Sequence, residues 1–151
     1  MEQGIKIIAS NKKAHYNYFL SDFLEVGIEL KGTEIKSLKN HSASLDDAYV
    51  IIKGMEAYVI GMNIAPYKQG NIFNHEPLRT RKLLLHKKEI IKLNQKIKEQ
   101  GFTIVPTKIY LSKGRAKLEI ALAKGKKLYD KRDSEKAKEQ KREIDKRLKT
   151  Y

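Results

Sequence analysis

Residues 103–122, TIVPTKIYLSKGRAKLEIAL, contain two β-forming runs separated by a short polar turn. Thr103–Leu111 and Ala116–Leu122 have the length of strands, and Ser112-Lys113-Gly114 between them is typical of a hairpin. Apolar and polar side chains alternate in the second run, as in a strand with one buried face. The buried face is predicted to carry Ala116, Leu118, Ile120 and Leu122. Lys117 is then expected to face solvent or a ligand.

The same reasoning places further strands and two helices in the chain. The predicted strands are Ile5–Ala9, Val26–Leu30, Tyr49–Lys53 and Ala57–Met62, and the residues between the last two favour a hairpin. The predicted helices are Thr33–Lys39 and His86–Gln100. The longer helix has Leu83, His86, Ile90, Leu93 and Ile97 at helical spacing, and Gly101 follows as a C-terminal cap. Residues 10–13 are predicted to form a polar turn, and residues 65–80 an ordered loop.

Several short antiparallel strands and one long helix predict the fold class. In about 120 residues this pattern favours a mainly β fold, a small closed or partly open barrel of the OB type with flanking helices. A sandwich of two sheets is the alternative, and periodicity alone does not separate the two.

The last fifth of the chain differs from the rest in composition. From Lys124 to Tyr151 there are twelve Lys and Arg against six Asp and Glu, with few large aliphatic residues. Such a segment buries too little apolar surface to offset its ordering entropy, so alone it is expected to be disordered or a frayed helix. We therefore predict a folded body, residues 1–123, and a basic C-terminal tail, residues 124–151.

Composition also limits the number of domains, the kinds of partner and the kinds of site that the chain can have. The 151 residues suffice for one domain with one core. The net charge of +14 makes nucleic acid the expected partner, with an anionic membrane surface second. The absence of cysteine excludes disulfides, zinc-thiolate sites and thiol nucleophiles. No signal peptide or apolar run of transmembrane length is apparent, so a soluble, cytoplasmic protein is expected.

A basic cluster precedes the longer predicted helix. Arg79, Arg81 and Lys82 fall within four residues, directly before the apolar run 83–85. Guanidinium groups there are suited to bind phosphates in a forked geometry. A solvated loop explains the same residues equally well.

Candidate catalytic and metal-binding residues are few. The histidines are His15, His41, His75 and His86, and none lies four residues from another. A histidine-based ribonuclease would need two of them to converge in space, and His86 is predicted to pack on the apolar helix face. Asp46 and Asp47, with Glu34, have the oxygen ligands that Mg²⁺ prefers, but a turn before a strand explains the aspartates better. We expect no enzymatic activity, cofactor or metal.

The tail combines cations with an aromatic ring. In GKKLYDKR, residues 125–132, Tyr129 lies among lysines and an arginine, a composition suited to phosphate contact and base stacking. Further along, Glu143 with Arg147 and Asp145 with Lys149 are acid-first pairs four residues apart, which stabilise a helix weakly. The tail is therefore predicted to become helical on a polyanionic partner.

Four motifs occur in order along nearly the whole chain. They are Asn11–Ala14 (NKKA), Gly32–Leu38 (GTEIKSL), Asn74–Leu85 and Ala123–Arg132. Together they resemble the SsrA-binding protein (SmpB) family, which binds transfer-messenger RNA (tmRNA) in bacterial ribosome rescue. The resemblance implies an OB-like antiparallel barrel with flanking helices and a C-terminal tail. It also implies a protein that is not an enzyme.

The resemblance further implies a mode of action. The body would bind the tRNA-like domain of tmRNA, and the tail would enter the empty mRNA channel at the small-subunit decoding centre as a helix. The outcome is trans-translation, in which the nascent peptide is tagged for degradation. Elongation factor Tu and alanyl-tRNA synthetase are implied as indirect partners.

Residue by residue, the resemblance implies two contact sets. The tmRNA set is Asn11, Lys12, Tyr18, Glu25, Leu84 and Lys117. The ribosome set in the tail is Lys124, Lys126, Lys127, Tyr129, Asp130, Lys131 and Arg132. Asn40-His41-Ser42 departs from the Gly-Lys turn of many relatives, so a backbone contact there is not implied.

Two other functions compete with ribosome rescue. A general OB-fold translation or ribosomal protein would bind unrelated structured RNAs with comparable affinity. An RNA-processing enzyme would show turnover that depends on a histidine or a carboxylate. The order of the motifs and the helical pairing in the tail favour the tmRNA-binding function.

Overall fold

The computed structural model describes residues 5–68 and 74–126. Its strands are β1 (Ile5–Ser10), β2 (Tyr18–Ile28), β3 (Ala43–Ser44), β4 (Tyr49–Lys53), β5 (Glu56–Ile60), β6 (Asn63–Ile64), β7 (Arg81–Leu84), β8 (Thr103–Ser112) and β9 (Arg115–Gly125). Its helices are α1 (Lys12–Asn17), α2 (Gly32–Lys39) and α3 (Lys87–Gln100). The mainly β fold and both predicted helices are confirmed.

The predicted hairpin closes the main sheet into a barrel. β9 pairs with β8 along nearly its whole length and with β2 on its other edge. The ring then runs β8-β4-β5-β7-β2-β9 and returns to β8, with every pairing antiparallel. β1 adds to the free half of β8, and β3 with β6 forms a separate two-stranded ladder. Closure therefore selects the barrel over the sandwich.

The barrel interior holds the core that the alternation predicts. Leu118, Ile120 and Leu122 of β9 are at most 1% exposed. α3 packs Ile90 and Leu93 inward, and Gly101 ends the helix in the left-handed region at φ 69°. The hairpin thus supplies the centre of the core.

The start of α3 differs from the prediction. Leu83 belongs to β7, where Arg81 and Leu83 are buried while Lys82 and Leu84 alternate outward. His86 is the exposed N-cap of α3, so the prediction that it packs on the apolar face is wrong. Leu83 lies at helical spacing from the residues of α3 only by coincidence, because β7 ends between Leu83 and the helix.

The segment predicted as a polar turn begins a helix instead. Asn11 caps α1, because its side-chain oxygen accepts from the Ala14 N–H at 3.0 Å. α1 has only six residues, which is too short for a full apolar period. The polar residues at its N-terminal end therefore predicted a turn.

β9 extends two residues past the predicted end of the body at Ala123. Gly125 pairs with Tyr18 and Lys124 with Phe19 in β2. The Lys126 N–H then donates to the Asn17 carbonyl at 2.8 Å. The first three residues assigned to the tail are therefore held by the body, while residues 127–151 lie outside the described part of the chain. No helix in the described ranges is long and apolar enough to span a membrane.

Candidate nucleic-acid interface

One row of residues crosses four strands on the outside of the barrel. Gly27 of β2 lies opposite Leu84 of β7 on one side and opposite Lys117 of β9 on the other. Lys117 in turn lies opposite Tyr110 of β8. Directly paired residues on adjacent strands share a face of the sheet, so these four side-chain positions are neighbours.

A second row lies beside the first on the same face. Glu25 is paired with Glu119 of β9, and Glu119 with Lys108 of β8. Residues two apart on a strand point to the same side. The two rows therefore form one surface, which we call the barrel face: Glu25, Gly27, Leu84, Lys108, Tyr110, Lys117 and Glu119.

Gly27 leaves room for an apolar side chain in the centre of the barrel face. A Cβ placed on Gly27 would lie 3.2 Å from Leu84 Cδ1 and 3.3 Å from Leu84 Cβ. Leu84 thus leans over the glycine and is still 51% exposed. Leu84 and Lys117 line a shallow groove. In this groove Leu84 provides an apolar contact surface beside the ammonium group of Lys117.

Two carboxylates on the barrel face are held by hydroxyl groups. The Tyr110 hydroxyl donates to Glu25, and the Thr107 hydroxyl donates to Glu119 at 2.6 Å. Neither carboxylate forms a salt bridge with a cation of the described residues. Fixed carboxylates accept hydrogen bonds from base amino groups or ribose hydroxyls and repel phosphates. The adjacent lysines supply the phosphate-binding charge.

α1 extends this side of the barrel. Ala14 packs with Val105 and Ala123, and Tyr18 lies against the same cluster. Ala123 stands on the side of β9 that carries Lys117 and Glu119, since all three positions are odd-numbered. Exposed Lys12 and half-buried Tyr18 therefore border the barrel face.

Asn11 is buried beneath this border. It is 2% exposed, and its amide donates to the carbonyls of Pro106 at 2.9 Å and Leu45 at 3.2 Å. The Asn11 side-chain oxygen also accepts a hydrogen bond from the Ala14 N–H, so both polar atoms of the side chain are hydrogen-bonded within the protein. The structure thus brings all six predicted tmRNA residues to one side of the barrel, with Asn11 as the support of Lys12. Their contact with RNA stays a prediction.

The basic cluster has a structural role that the sequence did not predict. Arg81 is fully buried, and its Nε donates to Glu34 at 2.5 Å. Arg79 donates to the other oxygen of Glu34 at 2.6 Å, and Arg81 also donates to the carbonyls of Met62, Arg79 and Pro77. Neither of the two interpretations of the cluster, phosphate binding or a solvated loop, holds for Arg81, because this guanidinium joins α2 to β7 inside the protein.

The environment of Glu34 keeps it ionised. Burial raises its pKa, but hydrogen bonds from Arg79, from the Lys31 N–H and from Arg81 outweigh that effect, so the net pKa is lowered. Burial lowers the pKa of Arg81, and Glu34 opposes that change. The cluster is thus a hydrogen-bonded ion triad in which Glu34 and Arg81 are buried and Arg79 is half-buried.

The candidate magnesium site does not assemble in the described residues, and one of the four histidines is hydrogen-bonded within the fold. Glu34 is committed to the triad, and Asp46 and Asp47 lie in the turn before β4. His75 is 5% exposed, bonded to Thr33 at 2.8 Å and to the Ile64 carbonyl at 2.8 Å. No group of three acidic, histidine or cysteine residues in ranges 5–68 and 74–126 is placed to hold a metal.

Two residues of the predicted ribosome set lie in the body. Lys124 Nζ donates to the Gln100 carbonyl at 3.0 Å, and Lys126 Nζ lies 5.2 Å from the centre of the Phe19 ring. The remaining five, Lys127, Tyr129, Asp130, Lys131 and Arg132, lie outside the described residues. The ribosome contacts of all seven stay predictions.

Sequence reasoning missed Lys108, Tyr110 and Glu119 as parts of the barrel face, and it missed Thr107, whose hydroxyl holds Glu119. Glu119 shares the outward alternation of Lys117, so that signal was available. Nothing local marks Tyr110, because its role comes from a side-chain hydrogen bond to Glu25, which is 85 residues away in the sequence. The bulge between Pro106 and Lys108 hides Thr107 further, since it breaks the alternation of β8.

Known proteins similar to this chain cover nearly its whole length. The family described as SmpB protein matches residues 8–150. An SsrA-binding protein of Malacoplasma penetrans is 54% identical over 144 residues, covering 95% of this chain and 99% of the relative. An SsrA-binding protein of Enterococcus hirae is 53% identical over 146 residues, covering 97% and 95%. A solved chain described by the words "tmRNA-SmpB: a journey to the center of the bacterial ribosome" matches at 40% identity with a TM-score of 0.68, covering 81% of this chain and 85% of that one.

Proposed function

Because this chain belongs to the SmpB family, we propose that it binds the tRNA-like domain of tmRNA and delivers it to stalled ribosomes for trans-translation. The proposed role is binding and positioning of RNA, without catalysis. The protein acts in the cytoplasm, where translation takes place.

The barrel face is the observation that carries this proposal. It places the fixed acceptors Glu25 and Glu119 side by side, with Lys108 opposite Glu119 and Lys117 two residues from Glu119 on the same strand, and Leu84 is exposed on the same surface. Such a surface contacts phosphates at its cations and bases or riboses at its centre, which suits unpaired nucleotides of a folded RNA better than a uniform duplex. Lys12 and Tyr18 border it, and the buried Asn11 supports Lys12.

The tail supplies the second half of the function. After Lys126 the chain continues with a surplus of cations, and we propose that this segment enters the empty mRNA channel at the small-subunit decoding centre. Lys127, Tyr129, Asp130, Lys131 and Arg132 are the proposed contacts, with Lys124 and Lys126 at its root. Elongation factor Tu and alanyl-tRNA synthetase act on the same tmRNA and are proposed as indirect partners.

Competition binding tests the central step. Labelled tmRNA bound to the full-length chain is challenged with unlabelled tmRNA or with bulk tRNA, at one stated salt concentration. We expect tmRNA to compete at concentrations far below those of bulk tRNA. Equal competition by both RNAs would instead indicate a general RNA-binding protein and overturn the proposal.

A further inference from the structure

The first strand continues the barrel face onto a fifth strand. Ile7 of β1 lies opposite Tyr110 of β8, and Tyr110 lies opposite Lys117 of β9. Because directly paired residues share a face of the sheet, the row that begins at Leu84 ends at Ile7. Ile5, two residues before Ile7, points to the same side. We call Ile5 and Ile7 the β1 edge.

The β1 edge is apolar and exposed. Ile7 is 50% exposed and Ile5 is 40% exposed, while Lys6 between them points to the opposite side and Ile8 is buried in the core. β1 is the terminal strand of the main sheet and pairs only with β8 among the described residues. Exposed positions on edge strands are commonly charged, because apolar ones invite pairing with other chains. Two neighbouring isoleucines there indicate a surface that a partner covers.

The charges around the β1 edge indicate that this partner is RNA. Ile5 lies opposite Ser112, and Ser112 lies opposite Arg115 of β9. Arg115 is exposed and forms no salt bridge with another described residue. Lys108 Nζ lies 5.7 Å from the centre of the Tyr110 ring, which adds a second cation. A second copy of this chain, with its net charge of +14, would be repelled here, whereas the phosphates of an RNA would be attracted.

The β1 edge is too far from Leu84 to contact the same nucleotide. Between β7 and β1 lie β2, β9 and β8 in the order of pairing. With neighbouring strands about 4.8 Å apart, Ile7 lies about 19 Å from Leu84 along the sheet. Successive nucleotides of a duplex strand rise about 3.4 Å, so this distance spans several nucleotides.

We propose that the β1 edge and Arg115 bind a second, unpaired nucleotide of the tmRNA that lies on the barrel face. Ile5 and Ile7 pack against the ribose and base of this nucleotide, and Arg115 binds its phosphate. This inference rests on the proposed function, because it extends the same RNA site. Apolar side chains accept any base, so the contact adds affinity and fixes the orientation of the RNA without selecting a sequence.

Three single substitutions test the proposal against a matched control. Ile5→Gln and Ile7→Gln each remove one apolar side chain of the β1 edge, and Arg115→Gln removes the cation. Ile91→Gln removes an isoleucine of similar exposure, 47%, from α3. Binding of each full-length variant to tmRNA is measured over a series of salt concentrations, and hydroxyl-radical footprints map the nucleotides that each variant protects.

For Ile5→Gln and Ile7→Gln, we expect about fivefold weaker tmRNA binding, since each loses the burial of a half-exposed side chain. Their slope of log affinity against log salt should equal that of the wild type, because no charge is lost. Arg115→Gln should lower this slope by about one unit. The nucleotides that lose protection should differ from those that Leu84→Gln exposes, and Ile91→Gln should match the wild type.

Several results would overturn the inference. Affinities equal to that of Ile91→Gln would show that the β1 edge contacts no RNA. Loss of the same nucleotides as in Leu84→Gln would remove the second nucleotide. An effect of Ile7→Gln alone that adds nothing to Glu25→Ala would mean that Ile7 only supports Tyr110.

Two further measurements separate the remaining explanations. A wild-type dimer that Ile7→Gln dissociates, seen in sedimentation, would assign the β1 edge to a second copy of the chain and overturn the inference. Failure of the proposed function appears separately, as equal competition by tmRNA and bulk tRNA for the wild-type protein. Preference for tmRNA in the wild type with unaffected isoleucine variants would overturn this inference alone.

Discussion

At the scale of single residues, Glu25 and Lys117 are expected to contribute to RNA affinity more than to stability. Both stand on the outside of the barrel, and neither forms a salt bridge with another described residue. Loss of a charge-assisted hydrogen bond costs about 1.5–3 kcal/mol, or about tenfold or more in affinity. Lys117→Ala and Glu25→Ala should each weaken tmRNA binding by that amount, measured by filter binding. Thermal melts should be unchanged for Lys117→Ala and slightly lower for Glu25→Ala, which removes the acceptor Glu25 from the Tyr110 hydroxyl, with the barrel folded in both.

Two further variants separate a direct contact from general effects. Lys6→Ala removes one exposed charge away from the barrel face, so it should leave tmRNA affinity nearly unchanged. Tyr110→Phe removes only the hydroxyl that holds Glu25, so it should weaken binding less than Glu25→Ala and add little to it in the double variant. Additive effects of the two substitutions would mean that Tyr110 does not act through Glu25.

Glu34 is the residue on which the fold itself is expected to depend. Replacing Glu34 with Gln leaves the buried guanidinium of Arg81 without a counter-charge, and breaking a buried pair in this way costs about 3–5 kcal/mol. Urea denaturation of Glu34→Gln should therefore show a much lower midpoint. Glu76→Gln, at an exposed acid of the loop that carries Arg79, should leave the midpoint unchanged.

The lowered pKa of Glu34 also predicts the pH dependence of stability. The unfolded chain binds a proton at this carboxyl more readily than the folded chain, so the stabilisation is complete above the ordinary pKa of a glutamate. It is lost as pH falls through the lower folded pKa. Wild-type stability should decline in acid more steeply than that of Glu34→Gln, and parallel declines would contradict the assignment.

At the scale of elements, the end of β9 determines where the body stops. Residues 124–126 pair with β2 and with the end of α1, and each hydrogen bond is worth about 0.5–1.5 kcal/mol. A chain ending at Lys126 should melt at the full-length temperature. A chain ending at Ala123 should melt about 5 °C lower or more. Equal melting temperatures would show that these pairings contribute nothing.

The elements also show what local sequence predicts and what it does not. Alternation from Ala116 to Leu122 predicted the core face of β9, because that pattern depends on burial alone. The six residues of α1 and the four of β7 are too short for a clear period. The triad of Glu34, Arg79 and Arg81 depends on the docking of α2 beside β7, and no spacing in the sequence encodes that contact.

At the scale of the whole molecule, the body and tail should separate in function. The chain ending at Lys126 keeps the barrel face but lacks the charged segment that follows. It should retain most tmRNA affinity and fail to support tagging of nascent peptides on stalled ribosomes. Full tagging activity of this truncated chain in a reconstituted translation assay would contradict the proposed role of the tail.

The barrel face as a whole could not be predicted from the sequence alone. Lys117 was identifiable as outward, and the resemblance supplied the other five candidate residues. Their convergence arises from the pairing of strands that are about ninety residues apart, since Gly27 meets Lys117 only when the barrel closes. Register between distant strands is set by global packing, so local patterns do not reveal it.

The attachment at Lys126 also has a mechanical consequence. A pull on the segment beyond it reaches the Lys126–Asn17 hydrogen bond first, and then the pairs Gly125–Tyr18 and Lys124–Phe19 in turn. These pairs lie at the end of an antiparallel ladder, so a force directed away from the ladder would open them one at a time. Each bond would then bear the load alone. The junction should therefore yield at low force and lengthen the tether by a few residues while the closed ring of strands stays intact.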